Sequence, residues 1–167
     1  MPNWCSNSIK ISGPYDKLKK IKEDSSKFEA DEGLVAPGLL EALVPIGDWS
    51  YVTASEAWGT KWDVSAEDLE LTDNGDGTGI IEGHFNSAWG PPTEAFETYC
   101  NDNDDVDIEC YYFEPGMCFV GCWNEGDDDY HVYEDATSET VREMIPEYLV
   151  DYFDLEEELA QWEEQED

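Results

Sequence analysis

Basic residues are nearly missing from most of this chain. Among 167 residues, eight are lysine or arginine and 42 are aspartate or glutamate, a formal charge of −34 at pH 7. Such a surface repels phosphate, which argues against direct nucleic-acid binding and against anchoring on an anionic bilayer. Long apolar runs are also missing: no stretch reaches the roughly 18 residues of a membrane span. The opening Met1-Pro2-Asn3-Trp4 has neither the basic cap nor the apolar run of a signal peptide. Five cysteines, an odd number without a secretory signal, read as reduced thiols and point to a cytoplasmic protein. Histidine is limited to His84 and His131. What the chain does have is core material, 40% hydrophobic and 13% aromatic residues. A wholly disordered acidic tail is thereby excluded.

The charge is regional. Residues 1–61 carry seven lysines against nine carboxylates, a balance of −2. Residues 62–167 carry Arg142 alone against 33, a balance of −32. Adaptation to high salt would spread acids over the whole surface. Concentrated like charge opposes folding by self-repulsion, so a binding role is the more economical reading.

Periodicity predicts the elements. Cys5, Asn7, Ile9 and Ile11 alternate with polar residues, a half-buried strand over 3–12. Tyr15, Leu18 and Ile21 recur at helical spacing over 15–26. Residues 29–60 read as a loop-rich insertion with a short helix near 38–43. Asp73-Asn74-Gly75-Asp76-Gly77 is hairpin chemistry between a strand ending at Leu71 and one carrying Ile81, Gly83 and Phe85. Pro91-Pro92 opens a helix through Tyr99. Strands follow at 106–113, at 117–123 (in alternation) and at Tyr130–Tyr133. The order is strand, helix, strand, strand, helix, strand. It predicts an α+β protein, a ferredoxin-like split βαβ sandwich with additional C-terminal strands. Its expected extent is residues 1–135, with an acidic helical extension over 136–167. There Thr140 with Glu143 suggests a capping box, and Pro146 a kink. Tyr148, Tyr152, Leu155, Leu159 and Trp162 form one apolar stripe, which either packs on the sheet or forms a partner contact or homodimer seam.

Four blocks stand out: Pro2-Asn3-Trp4-Cys5-Ser6-Asn7, Trp58-Gly59-Thr60-Lys61-Trp62-Asp63, Phe85-Asn86-Ser87-Ala88-Trp89-Gly90-Pro91-Pro92, and Tyr112-Phe113-Glu114-Pro115-Gly116 followed by Phe119 and Gly121. Over residues 1–123 their order and spacing resemble the YubB ferredoxin-like family of small phage- and plasmid-borne proteins. The resemblance implies the fold and a mobile-element setting, and it brings no catalytic residues. Trp4, Trp58, Trp62 and Trp89 read as packing around the strand ends.

Site chemistry is sparse. Cys118 and Cys122, four apart on a strand, stand roughly 13 Å from each other, too far to share zinc with Cys110 or His131. Neither 73–77 nor 102–105 continues into an EF-hand loop, although 102–107 has the composition for weak cation binding. Glu82 and His84 share a strand face, but no nucleophile elbow or phosphate-cradling loop accompanies them. The reading is therefore no enzyme, no cofactor and no metal.

The acids themselves are the remaining signal. Alternate carboxylates on a strand lie about 6.6 Å apart, and those at i, i+4 on a helix about 5–6 Å, a density of the same order as the phosphates of duplex DNA. The expected function is a non-catalytic DNA mimic. It would block the basic cleft of a host nucleic-acid-binding or defence protein, such as a restriction enzyme. The expected contacts are Asp102, Asp104, Asp105, Asp107, Glu109, Asp127, Asp128, Asp129, Glu134, Asp135, Glu157 and Glu158. The alternative is a structural or regulatory interaction module that uses the C-terminal stripe, with acids for solubility.

Overall fold

The structure, a computed structural model, describes residues 3–25 and 38–166. Met1 and Pro2, position 26 of the expected first helix, residues 29–37 of the expected insertion, and Asp167 lie outside the described residues. The alternation of Cys5, Asn7, Ile9 and Ile11 builds β1 (Trp4–Pro14), with all four side chains buried. β1 is central: it runs antiparallel to β3 (Thr78–Ala88) on one side and to β4 (Asp107–Glu114) on the other. β2 (Leu69–Asp73) pairs with β3, β5 (Phe119–Asn124) with β4, and β6 (Asp127–Val132) with β5. The protein is α+β, with a six-stranded antiparallel sheet ordered β2-β3-β1-β4-β5-β6.

Helices cover most of one sheet face, leaving Tyr130 and Val132 of β6 exposed on it, and the other face in part. On the first face, α1 (Tyr15–Ser25), α2 (Leu39–Leu43), α3 (Tyr51–Trp58) and α4 (Thr93–Asp102) bury Leu18, Ile21, Leu40, Trp58 and Phe96 against Ile11, Ile81, Phe85, Ile108 and Tyr112. On the second face, α5 (Val141–Met144), α6 (Glu147–Phe153) and α7 (Leu155–Glu166) bury Val141, Ile145, Leu149 and Leu155 on Val120 and Cys122. β5 is therefore covered on both sides, and Phe119–Trp123 are all buried instead of alternating. A doubly covered strand reads as a continuous apolar run, so the expected alternation over 117–123 does not hold. Gly121 sits opposite Tyr112, whose ring lies across it: a Cβ there would come within 2.3 Å of the Tyr112 hydroxyl oxygen and 2.6 Å of the Asp129 carbonyl. Over β2, β3 and β1 the second face stays open, with Lys10, Glu82 and His84 exposed.

Three local expectations need correction. The stretch taken as loop up to residue 60 contains α3, capped by Ser50, whose Oγ accepts the Thr53 amide at 3.1 Å, and closed by Gly59 in the left-handed region. Both signals stand in the sequence, at N-cap and C′ positions eight residues of helix apart. The Thr140–Glu143 capping box does not form. Thr140 has helical dihedrals instead of the extended ones a cap needs, and its Oγ1 accepts from the Thr137 amide. Finally, α6 and α7 are not one continuous helix, because Asp154 takes a left-handed conformation (φ 52°) between them.

α2 is capped from a distance. Gly38 offers no side chain, and the Asp63 carboxylate instead accepts the amides of Gly38, Leu40 and Glu41, along with its neighbour Val64, at 2.7–3.1 Å. Burial pushes the Asp63 carboxyl up to about 6, against the pull of these donors. A raised folded value favours the protonated form. The stability Asp63 contributes is thus complete below the unfolded carboxyl range and is lost as pH rises through about 6. Thermal midpoints measured from pH 7 down to pH 5 should rise, and Asp63→Asn should rise less steeply. Identical slopes in the two proteins would refute the assignment.

Candidate functional site

The expected carboxylates fall into two groups at opposite ends of β6. At the first, the register places Glu109, Asn124 and Asp127 in one row across β4, β5 and β6. With strands about 4.8 Å apart, Glu109 and Asp127 stand roughly 10 Å from each other. Beside them a cavity of about 230 Å³ is lined by Glu97, Asp104, Asp107 and Glu125 together with Cys100, Asn101, Val106, Trp123 and Gly126. Glu97 and Glu125 were not among the expected contacts. Only the folding of α4 against the β5–β6 turn brings them to Asp104 and Asp107. Asp102 is exposed at the end of α4. Asp105 is not a free anion: Lys17 pairs with it at 2.6 Å and holds its carboxyl below the usual range.

Asp127, Asp128 and Asp129 do not share a face, because successive residues of a strand point to opposite sides. Asp128 opposes Trp123 on the first face and accepts the hydroxyl of the buried Tyr112. Asp129, opposite Cys122 on the second face, accepts the hydroxyl of Tyr148 and pairs with His131. The Tyr148 bond, then His131, depresses the Asp129 carboxyl, while burial and the Asp129 bond raise the Tyr148 phenol. Two of the three acids thus have structural work inside the protein.

The second group lies beyond the other end of β6. Glu134 and Asp135 are exposed, as are Glu157 and Glu158 on α7. β6 itself, Asp127 to Val132, spans about 17 Å at a strand rise of about 3.3 Å. Arg142 is taken up elsewhere, donating to Glu156 and Asp151 at 2.7 Å each and lying 3.6 Å from Glu147. It ties α5, α6 and α7 together and leaves both acidic groups without it.

The apolar stripe is largely consumed within the chain. Leu155 is wholly buried and Leu159 half-buried against the second core. Tyr152 stacks on Tyr111 (centroids 3.9 Å, planes 11°). A partner contact through Leu155 is overturned by this burial. Tyr148, Tyr152 and Trp162 keep substantial exposure, 54% for Trp162.

The four sequence blocks meet at one end of the sheet. Trp4, Cys5, Ser6 and Asn7 pair in register with Ala88, Ser87, Asn86 and Phe85. The buried Asn7 amide donates to the Cys5 carbonyl and to Ser87 Oγ, which in turn donates to the Gly90 carbonyl. Thr60 donates to the Ala88 carbonyl at 2.8 Å, and the Trp4 and Trp62 rings lie 6.0 Å apart. Glu114, buried, accepts the amides of Gly116 and Met117. Trp58 is core, whereas Trp4 and Trp89 are each 47% exposed at the rim. These blocks are a structural joint.

On the open face, Ser6 Oγ and His84 Nε2 lie 2.7 Å apart, a contact across 78 residues that no local pattern reports. Lys10 stands in register between Glu82 and Glu109. Cys110 and Cys122 lie on opposite sheet faces, since Cys110 pairs with Trp123. Burial pushes the Cys5 and Cys122 thiols up to about 12 and about 11, so both stay protonated near neutrality. Among the described residues no group of three or more histidine, cysteine or acidic side chains is arranged to hold a metal, and no helix is long and apolar enough to cross a membrane.

No protein-family model matches the chain, and no curated protein sequence does. In structure it is similar to a crystal structure of protein api92 from Yersinia pseudotuberculosis, of family DUF1281, with a TM-score of 0.51 and 10% sequence identity. The likeness spans 80% of this chain and 98% of the other. At that identity the likeness is one of fold.

Proposed function

We propose that this is a non-catalytic DNA mimic, encoded by a phage or plasmid, that occupies the basic cleft of a nucleic-acid-binding or defence protein. The observation that carries the reading is that Arg142, the sole basic residue after position 61, is held by three carboxylates. The acids at both ends of β6 are left uncompensated by it. The strand between them spans about 17 Å, about five base pairs at about 3.4 Å each. Glu97, Asp104, Asp107, Glu109, Glu125 and Asp127 form one pole; Glu134, Asp135, Glu157 and Glu158 form the other. Asp105, Asp128 and Asp129 have their own partners and contribute little to the contact. The order β2-β3-β1-β4, with α1 between β1 and β2 and α4 between β3 and β4, supports a ferredoxin-like core extended by β5 and β6. It also favours the YubB-like ancestry suggested by the four blocks. The alternative, docking through the C-terminal stripe, keeps only Tyr148, Tyr152 and Trp162 as exposed surface.

The test is competition. Immobilised protein at about 50 mM salt should retain a nucleic-acid-binding protein from bacterial lysate, and a duplex oligonucleotide should elute it. Joint replacement of Asp104, Asp107 and Asp127 by asparagine should reduce retention severalfold. Retention that duplex does not displace, or that the triple variant leaves intact, would overturn the reading.

A further inference from the structure

We propose that the cavity between the end of β6 and α7 is a binding site for a primary alkylammonium group. Its volume is about 320 Å³. Phe113, Tyr133 and Leu159 supply buried or half-buried apolar lining, and Glu134, Glu158 and Trp162 the exposed part. No basic side chain lines it. The carboxylates of Glu134 and Glu158 have no hydrogen-bond or ion-pair partner among the described residues, so two carboxylates border an apolar hollow with no cation to meet them. A third lining acid, Glu163, is occupied: its two oxygens accept the amide and hydroxyl of Ser138 at 2.9 and 2.8 Å, fixing α7 to the loop before α5.

The lining selects the ligand class. Carboxylates exclude anions. A compact metal ion would need three converging ligands, and among the described residues no such group exists. An ammonium head can reach Glu134 and Glu158 while its alkyl stem covers Leu159 and Phe113, and an aromatic ring nearby favours a cation over a neutral group. The chain already uses that last contact once, with Lys61 Nζ lying 4.2 Å from the Trp62 ring centroid. Trp162, more exposed, has no such cation among the described residues. The inference does not depend on DNA mimicry, because a free amine needs no protein partner. Failure of the amine titration would leave the duplex competition untouched.

The experiment titrates the full chain, at constant ionic strength, with hexylamine, butylamine and neutral hexan-1-ol, reading NMR shifts at Cys118, Ala136 and Leu159. Saturation is expected, with hexylamine roughly tenfold tighter than butylamine from two further buried methylenes. Hexanol should bind at least about tenfold more weakly than hexylamine for want of the charge. Glu158→Gln and Trp162→Ala, both at exposed positions, should each weaken hexylamine severalfold, and Asp104→Asn should not. Saturation by a blocked lysine as tight as by butylamine would identify a partner's lysine as the source; weaker saturation would identify a free amine. Shifts that merely follow added salt, that ignore chain length, or that persist unchanged in both variants would overturn the proposal.

Discussion

Leu155→Ala is expected to lower the free energy of unfolding by about 2–5 kcal/mol, read as a fall in the urea midpoint. Leu155 opens α7 directly after the left-handed Asp154 and is wholly enclosed by the second core, which includes Val120, Cys122, Tyr133, Leu149 and Val150. Truncation removes buried methyl groups and leaves a hole where the backbone is already committed to a tight bend, so collapse around it is limited. The cost should also appear locally, as faster amide exchange along α7 than in β1. A stability change below about 1 kcal/mol, accompanied by weaker partner capture, would instead make Leu155 a contact residue and restore the stripe as an interface.

Partner capture is expected to fall on the order of a thousandfold between about 50 and about 200 mM salt. Binding a cationic groove to this surface would release the anions held by the partner and the cations held by the two acidic poles, and release of six or more ions gives a dependence of that steepness. Apolar docking predicts the opposite, since burial of Tyr148, Tyr152 and Trp162 is insensitive to salt over this range or strengthened by it. A plot of log affinity against log salt with a slope near zero would sink the electrostatic reading. The association rate should fall alongside the affinity, because steering by the whole-molecule field is screened by the same ions.

The period-two strands were legible because one covered face writes itself into the chain: β1, β3 and β4 alternate as their residues predict. β5 was legible as a strand but not in its environment. Its second cover comes from helices that begin 17 residues after its end, which no local pattern reports. The same limit separated free acids from occupied ones. Asp128 and Asp129 look identical to Asp127 in a run of three, yet tyrosines 16 and 19 residues away claim two of them. Asp63 looked like the last letter of a tryptophan-rich block, while its work is to cap the N-terminus of a helix that begins at Leu39. The blocks were recognisable as blocks, and their meeting at one end of the sheet follows from a strand register that sequence order does not display.

That register also sets the timetable of synthesis. β1, made before the other described strands, occupies the middle of the sheet, and its two neighbours begin at Thr78 and Asp107. At about 5–20 residues per second, β1 waits roughly 5–20 s for the second of them. During that interval the edge of β1 that faces β4 has no strand to pair with, and non-local pairing over such spans is slow to form. Nascent chains halted before residue 107 should therefore be protease-sensitive throughout, and those extended past Glu114 should gain resistance in a single step.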